Sequence, residues 1–172
     1  MTQERINEYN KAYMNMAETF SKLSQAKRAQ VGCLIVSKNG QILSQGYNGM
    51  PHGIENECEY IGEDGLEYTK PELMHAETNA ILKCAKDGVS TNGAKLYVTL
   101  SPCLECAKVI IQAGISEIYY KELYRKTEGL ELLKRCGVKI YQIPWKNFKI
   151  FYIGNIFLIL ITNDLFTRLV FK

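Results

Sequence analysis

Two short motifs in the chain carry side chains that can hold a metal ion. The first is His-Ala-Glu and the second, further along, is Pro-Cys-Leu-Glu-Cys. One imidazole and two thiolates suit zinc better than magnesium or calcium, which prefer oxygen ligands. Three protein ligands leave a fourth position for water, as in catalytic zinc sites. The pattern predicts one zinc ion per chain on His75, Cys103 and Cys106, with Glu77 carrying protons in a hydrolytic reaction.

The first motif must lie at the start of a helix. Since His75 and Glu77 are two positions apart, they would point to opposite sides of a helix interior, and both can reach one site only in the first turn. An apolar face at helical spacing follows and runs to the stop signal Asp87-Gly88. We therefore expect a helix that begins at the metal ligand.

The second motif is typical of a strand that leads into a helix. Residues 95–100 are strand-like, and Ser101-Pro102 is typical of a cap followed by proline at the first helical position. Cys103 and Cys106 then share one face of the first turn, where the helix dipole favours the thiolate. Alone, a Cys-x-x-Cys pair could equally be a redox pair or two buried cysteines. The order of both motifs, with a strand between them, favours zinc.

Composition places the chain among globular proteins. With 172 residues and 47% hydrophobic residues, we expect one domain at 1–145 followed by an apolar tail at 146–172. The amino terminus is polar with no apolar stretch behind it, so we expect no signal peptide and a cytoplasmic protein with reduced cysteines. His52 and Cys58 are the candidate ligands for a second metal site. The net charge of +3 argues against a nucleic-acid-coating surface and suits a small anionic substrate.

Hydrophobic periodicity predicts the fold. Apolar residues at helical spacing form a first amphipathic helix, comprising Ile6, Tyr9, Tyr13, Met16, Phe20 and Leu23. A hairpin with an Asn-Gly turn follows, and the second half then alternates strands with helices, which implies parallel pairing. The five predicted strands are 31–36, 41–46, 95–100, 117–121 and 138–143, with a last helix at 127–136. The sequence predicts a three-layer α/β/α sandwich around a mixed five-stranded sheet.

Two segments stand apart from this alternation. Residues 47–72 are rich in Gly, Pro, Asn and acids, and we expect this long loop to wall the pocket. Residues 150–161 are almost wholly apolar, yet they are interrupted at 154–155 and are too short to span a membrane. A buried terminal helix or strand, or a subunit contact, is the simplest interpretation of the tail; a membrane-surface helix is the alternative.

The chain resembles the cytidine deaminase-like superfamily and, within it, the deoxycytidylate (dCMP) deaminases of phages and cells. The likeness runs from about residue 30 to 141 and is carried by three segments: 46–53 (Gly-Tyr-Asn-Gly-Met-Pro-His-Gly), 75–81 and 101–108. The zinc motif is shared by the whole superfamily, whereas the first segment is more specific. The resemblance implies the cytidine deaminase-like fold and hydrolytic deamination of dCMP to dUMP, which would supply dTMP synthesis.

The resemblance also implies roles for individual residues in substrate binding. Asn48 would bind the sugar, Ser101 would belong to the substrate site, and Tyr120 and Tyr124 would border the base and the phosphate. Thr78 stands where the family usually has leucine, a departure that we expect at the floor of the pocket.

Regulation and assembly follow from the same resemblance. The family is typically a hexamer activated by dCTP with Mg²⁺ and inhibited by dTTP. The effector would bind at Arg28, Gly49, His52 and Gly53. The additional ligands that give some phage members a second zinc are not apparent in the sequence.

Several other functions share parts of this pattern. A related deaminase could act on dCTP as well as dCMP, on the free nucleoside or on a tRNA adenosine, because pocket contacts set the substrate. A nucleotide-sensing protein with a structural zinc would gain nothing from Glu77. A thiol redox protein would leave His75 and Glu77 unexplained.

Overall fold

The computed structural model describes residues 2–143 with their side chains and, beyond them, the backbone of three strands. The four helices are α1 Gln3–Ser21, α2 Ala76–Lys86, α3 Leu104–Gln112 and α4 Glu128–Arg135. The strands within the first part are β1 Gly32–Val36, β2 Ile42–Tyr47, β3 Glu59–Ile61, β4 Glu67–Thr69, β5 Lys95–Leu100, β6 Glu117–Glu122 and β7 Lys139–Gln142. The later strands are β8 Phe148–Ile153, β9 Ile156–Ile161 and β10 Arg168–Val170.

The main sheet has five strands in the order β2-β1-β5-β6-β7. β1 pairs antiparallel with both β2 and β5, whereas β5 with β6 and β6 with β7 are parallel pairs. The sequence prediction of an antiparallel opening and a parallel second half is confirmed. So is the mixed five-stranded sheet with four helices.

The two faces of this sheet bury different clusters. Successive strand residues point to opposite faces. Leu34, Tyr97 and Tyr119 therefore pack with α1, whereas their neighbours in sequence pack on the other side with α2, α3 and α4. The result is the predicted sandwich, with one helix on one face and three on the other.

Helix α1 is rotated relative to the sequence prediction. Its fully buried residues are Met14 and Ala17, and Tyr13 and Phe20 pack partly against the same cluster. Tyr9 and Met16, which we expected on the buried face, are 41% and 37% exposed. The i, i+3 spacing fitted both faces, and only packing on the sheet selects between them.

The long segment 47–72 contains a hairpin that the sequence analysis missed. β3 and β4 pair antiparallel, with Glu59 opposite Thr69. The turn between them ends at Gly65, whose φ of 76° lies in the left-handed region that glycine adopts without strain. The Asp-Gly pair at this turn is a known hairpin signal and could have predicted it.

The chain after residue 143 includes an antiparallel sheet in the order β10-β9-β8. Its register pairs Ile153 with Ile156 and Leu160 with Leu169. The interruption predicted at 154–155 lies outside the described residues. Within the part of the chain that the structure describes, no helix is long and apolar enough to cross a membrane.

Candidate active site

The three predicted metal ligands meet at one point. His75 is the N-cap residue of α2, Cys103 is the N-cap residue of α3, and Cys106 lies in the first turn of α3. The His75 Nδ1 atom lies 3.2 Å from Cys106 Sγ and 3.5 Å from Cys103 Sγ. Helix α2 therefore begins directly after His75, as the spacing predicted, whereas α3 begins after Cys103, two residues later than the predicted cap Ser101.

These donors fit a zinc ion. All three ligand atoms lie within 4.8 Å of one another. Tetrahedral zinc with ordinary Zn–N and Zn–S bonds places nitrogen and sulfur about 3.6 Å apart, close to the separations observed. Within the described residues, this is the one group of at least three His, Cys, Asp or Glu side chains that could hold a metal ion. His52 and Cys58 do not belong to such a group.

The protonation of the cluster also suits metal binding. A hydrogen bond from Cys106 lowers the pKa of the Cys103 thiol well below its usual range, and burial opposes this shift. The hydrogen bond with Cys103 raises the pKa of His75. The Cys103 thiolate, the form that binds zinc, is thus favoured before any metal binds, whereas the same hydrogen bond and burial raise the pKa of the Cys106 thiol.

Glu77 lies beside the cluster without joining it. It is in the first turn of α2 and only 4% exposed. Burial raises the pKa of its carboxyl group, because the charged form loses its hydration. A buried carboxyl next to a metal-ligand set, inside a cavity, is a candidate proton carrier.

Two close backbone approaches fix the position of these helix starts. A Cβ atom on Gly46 of β2 would lie 2.3 Å from the Ala76 carbonyl oxygen. A Cβ atom on Gly129 of α4 would lie 2.2 Å from the Pro102 carbonyl oxygen and 2.7 Å from that of Cys103. Only glycine allows these contacts, so β2 supports α2 and α4 supports the loop that carries Cys103.

The cluster opens into a cavity of about 280 Å³. Its size is near the lower end of small-molecule sites, which measure roughly 300–1,000 Å³. Part of its lining comes from the metal end, including His75, Glu77 and Cys103. Another part comes from loops and from the β3–β4 hairpin, and comprises Arg28, Glu59, Thr69, Tyr124 and Arg125.

We call these loop and hairpin residues the loop wall. Hydrogen bonds connect them to one another. The backbone N–H groups of Lys27 and Arg28 donate to one carboxylate oxygen of Glu59, over 3.1 and 3.4 Å. The Arg28 guanidinium donates to the Thr69 hydroxyl over 3.5 Å. The Arg125 guanidinium lies 5.7 Å from the centre of the Tyr124 ring. The loop side of the cavity therefore presents two cations and the Glu59 carboxylate, in addition to Glu77 at the metal end.

The structure brings three predicted substrate residues into the lining, namely Asn48, Ser101 and Tyr124. Asn48 uses its side-chain amide to hold the chain nearby: it donates to the Ala29 carbonyl oxygen over 2.8 Å and accepts from the Val31 N–H over 2.7 Å. The Ser101 hydroxyl accepts the Tyr124 N–H over 2.8 Å. Ser101 is thus not the helix cap that its sequence predicted, since Cys103 takes that position.

Tyr120 lies elsewhere. It belongs to the hydrophobic core between the sheet and helices α2 to α4, is 8% exposed, and is not among the residues that line the cavity. Alternation along β6 explains this position, because Tyr120 points to the same face as Ile118. The expected contact of Tyr120 with the base and phosphate has no support in this geometry.

The predicted effector residues are divided between two places. Arg28 lines the cavity next to Glu77, whereas Gly49, His52 and Gly53 are not part of its lining. Gly49 exchanges backbone hydrogen bonds of 2.9 and 3.1 Å with Met74, the residue before His75. His52 and Gly53 are exposed. Sequence reasoning missed Glu59, Thr69 and Arg125 as lining residues, because no motif links them to the zinc pattern.

Comparison with known proteins is consistent with this site. Residues 7–122 match the model of the cytidine and deoxycytidylate deaminase zinc-binding region. Deoxycytidylate deaminase of Enterobacteria phage T4 is 34% identical, covering 78% of this chain and 89% of the phage protein. The mouse deoxycytidylate deaminase is 35% identical, covering 83% of this chain and 84% of its own. The crystal structure of cyanophage S-TIM5 dCMP deaminase with dCMP and dUMP is 45% identical, with a TM-score of 0.73, covering 83% of this chain and 99% of that one.

Proposed function

We propose that this chain, which belongs to the cytidine and deoxycytidylate deaminase family, hydrolyses dCMP to dUMP and ammonia. The observation that carries the proposal is the buried carboxyl of Glu77 beside the His75, Cys103 and Cys106 cluster, within one cavity. The phage and mouse deoxycytidylate deaminases and the cyanophage enzyme, whose structure contains dCMP and dUMP, support the choice of substrate.

His75, Cys103 and Cys106 would hold the zinc ion, which, when bound, supplies positive charge that makes water easier to deprotonate. Glu77 would take a proton from the attacking water as its oxygen bonds to C4 of cytosine. The same carboxyl would deliver one proton to ring nitrogen N3 and carry the second to the amine as the C4–N bond breaks. Both water protons are then accounted for, one on uracil and one on ammonia.

The loop wall would bind the other end of the nucleotide. Arg28 and Arg125 line the same cavity as Glu77, and guanidinium groups bind phosphate through paired N–H donors. Tyr124 would lie against the nucleotide between them, positioned through its backbone by Ser101. Asn48 would reach the sugar through the acceptor capacity that its carbonyl oxygen retains after bonding Val31.

Regulation by dCTP with Mg²⁺ and by dTTP remains a prediction, as do the hexamer and the cytoplasmic location. Gly49 is hydrogen-bonded to Met74, the residue before His75. An effector bound at 49–53 would therefore affect the position of His75 through this contact. Arg28 would serve the substrate phosphate rather than this effector. We retain residues 1–145 as the proposed catalytic domain, with 146–172 as an appended segment.

A bifunctional dCMP and dCTP deaminase is the second candidate. A neighbouring cavity of about 460 Å³ shares Arg28, Ala29, Val31 and Leu100 with the first. It provides space beside Arg28 that a longer phosphate chain could enter.

The test is ammonia release by purified, zinc-loaded protein from dCMP, dCTP and deoxycytidine, with metal content measured on the same sample. We expect dUMP from dCMP, loss of this activity on removal of zinc by a chelator, and recovery when zinc is returned. Comparable turnover of dCTP would favour the bifunctional enzyme. No product from dCMP with a full complement of zinc would overturn the proposal.

A further inference from the structure

The hairpin that walls the cavity places a negative charge where a nucleotide phosphate would bind. Glu59 of β3 lines the cavity together with Arg28 and Arg125. Its carboxylate accepts the backbone N–H groups of Lys27 and Arg28, at 3.1 and 3.4 Å. Successive backbone amides that converge on one point form an anion-binding concavity. In this protein, the concavity is occupied by a side chain of the protein itself.

A second cavity adjoins the first at Arg28. Arg28 lines both the cavity that contains Glu77 and the neighbouring cavity of about 460 Å³. Further volume therefore lies beside the residue that we assign to the phosphate. Charge at this point is one means by which phosphate chains of different length can be distinguished.

We propose that Glu59 is a specificity-determining residue that selects nucleoside monophosphates against nucleotides with longer phosphate chains. The inference rests on the proposed function, because it assumes that Arg28 and Arg125 bind the phosphate. Two guanidinium groups match the two negative charges of a monophosphate. The Glu59 carboxylate repels every phosphate charge near it, so the repulsion is greater for a diphosphate or triphosphate than for a monophosphate.

Glu59→Gln is a sharp test, because glutamine removes the charge and keeps an oxygen that can accept both backbone N–H groups. The matched control is Glu67→Gln on β4 of the same hairpin. Glu67 is not among the cavity-lining residues and pairs with Lys27 Nζ at 3.4 Å. Both variants lose one negative charge, and only one of them loses it from the cavity.

The measurement uses dCDP as the probe, since dCTP could also act as an effector. For the wild type and both variants at fixed ionic strength, kcat/KM for dCMP and the inhibition constant of dCDP against dCMP turnover are determined. We expect Glu59→Gln to strengthen dCDP inhibition by about fivefold relative to dCMP turnover. Glu67→Gln should leave the ratio of the two constants unchanged.

An unchanged ratio in Glu59→Gln, or an equal shift in Glu67→Gln, would overturn the inference. A fall in kcat/KM for all substrates with no change in ratio would show that Glu59 only holds the backbone at Arg28. These outcomes differ from failure of the proposed function, in which the wild-type protein itself would produce no dUMP.

Discussion

The two walls of the cavity are built in different ways. The metal wall consists of side chains at the starts of two helices, α2 held against the sheet at Gly46 and the start of α3 held against α4 at Gly129. The loop wall consists of side chains from the 26–30 loop, a short hairpin and the segment after β6, held by single hydrogen bonds. We infer that the metal wall determines the reaction and the loop wall determines which nucleotide enters.

Because the metal wall carries the reaction, Glu77→Gln in this wall should reduce activity more than any substitution in the loop wall. We expect kcat for dCMP to fall by about 10²–10⁴-fold, because glutamine cannot take or deliver the protons. Zinc content, measured by elemental analysis, should stay at one ion per chain, since Glu77 is not a ligand. Glu105→Gln is the matched control in the neighbouring motif, where Glu105 is exposed and pairs with Lys108. Similar activity in both variants would contradict the role of Glu77.

The second effect concerns the loop wall and should appear in KM instead of kcat. Arg125→Gln removes one of the two cavity cations, and we expect KM for dCMP to rise by roughly 10- to 100-fold, which is typical of a lost charged hydrogen bond. Turnover of deoxycytidine, which has no phosphate, should not change. Arg135→Gln on α4 serves as the control for surface charge, because Arg135 is exposed. Equal losses with dCMP and deoxycytidine would place Arg125 outside the phosphate site.

The same difference between the walls explains what the sequence could predict. His75, Glu77, Cys103 and Cys106 lie within local motifs, and helix geometry alone limits where a pair two or three positions apart can point. The positions of strands β1 and β5 along the chain also follow from short-range patterns in the sequence. The metal wall was therefore predictable nearly residue by residue.

The loop wall was not predictable in this way. Glu59 and Thr69 reach the cavity through pairing between three-residue strands, and Arg125 reaches it because Ser101 holds the neighbouring backbone. Such placement depends on long-range contacts that leave no periodic pattern in the chain. Tyr120 shows the opposite error, since the family resemblance implied a binding role, whereas strand alternation places it in the core.

The smallest expected effect tests how firmly the loop wall is held. Thr69→Val preserves the shape of the side chain and removes the hydroxyl that accepts a hydrogen bond from Arg28 at 3.5 Å. Because this contact is long and Arg28 is exposed, we expect KM for dCMP to rise only about two- to fivefold. Steady-state kinetics should show the change in KM with kcat unaffected.

Thr19→Val, on α1, makes the same replacement where the hydroxyl donates to the Asn15 carbonyl oxygen of its own helix. If Thr69→Val raised KM as much as Arg125→Gln, the wall would depend on Thr69 to place Arg28. If KM did not change at all, Arg28 would be oriented by its backbone contact with Glu59, and the hairpin would act through the carboxylate alone.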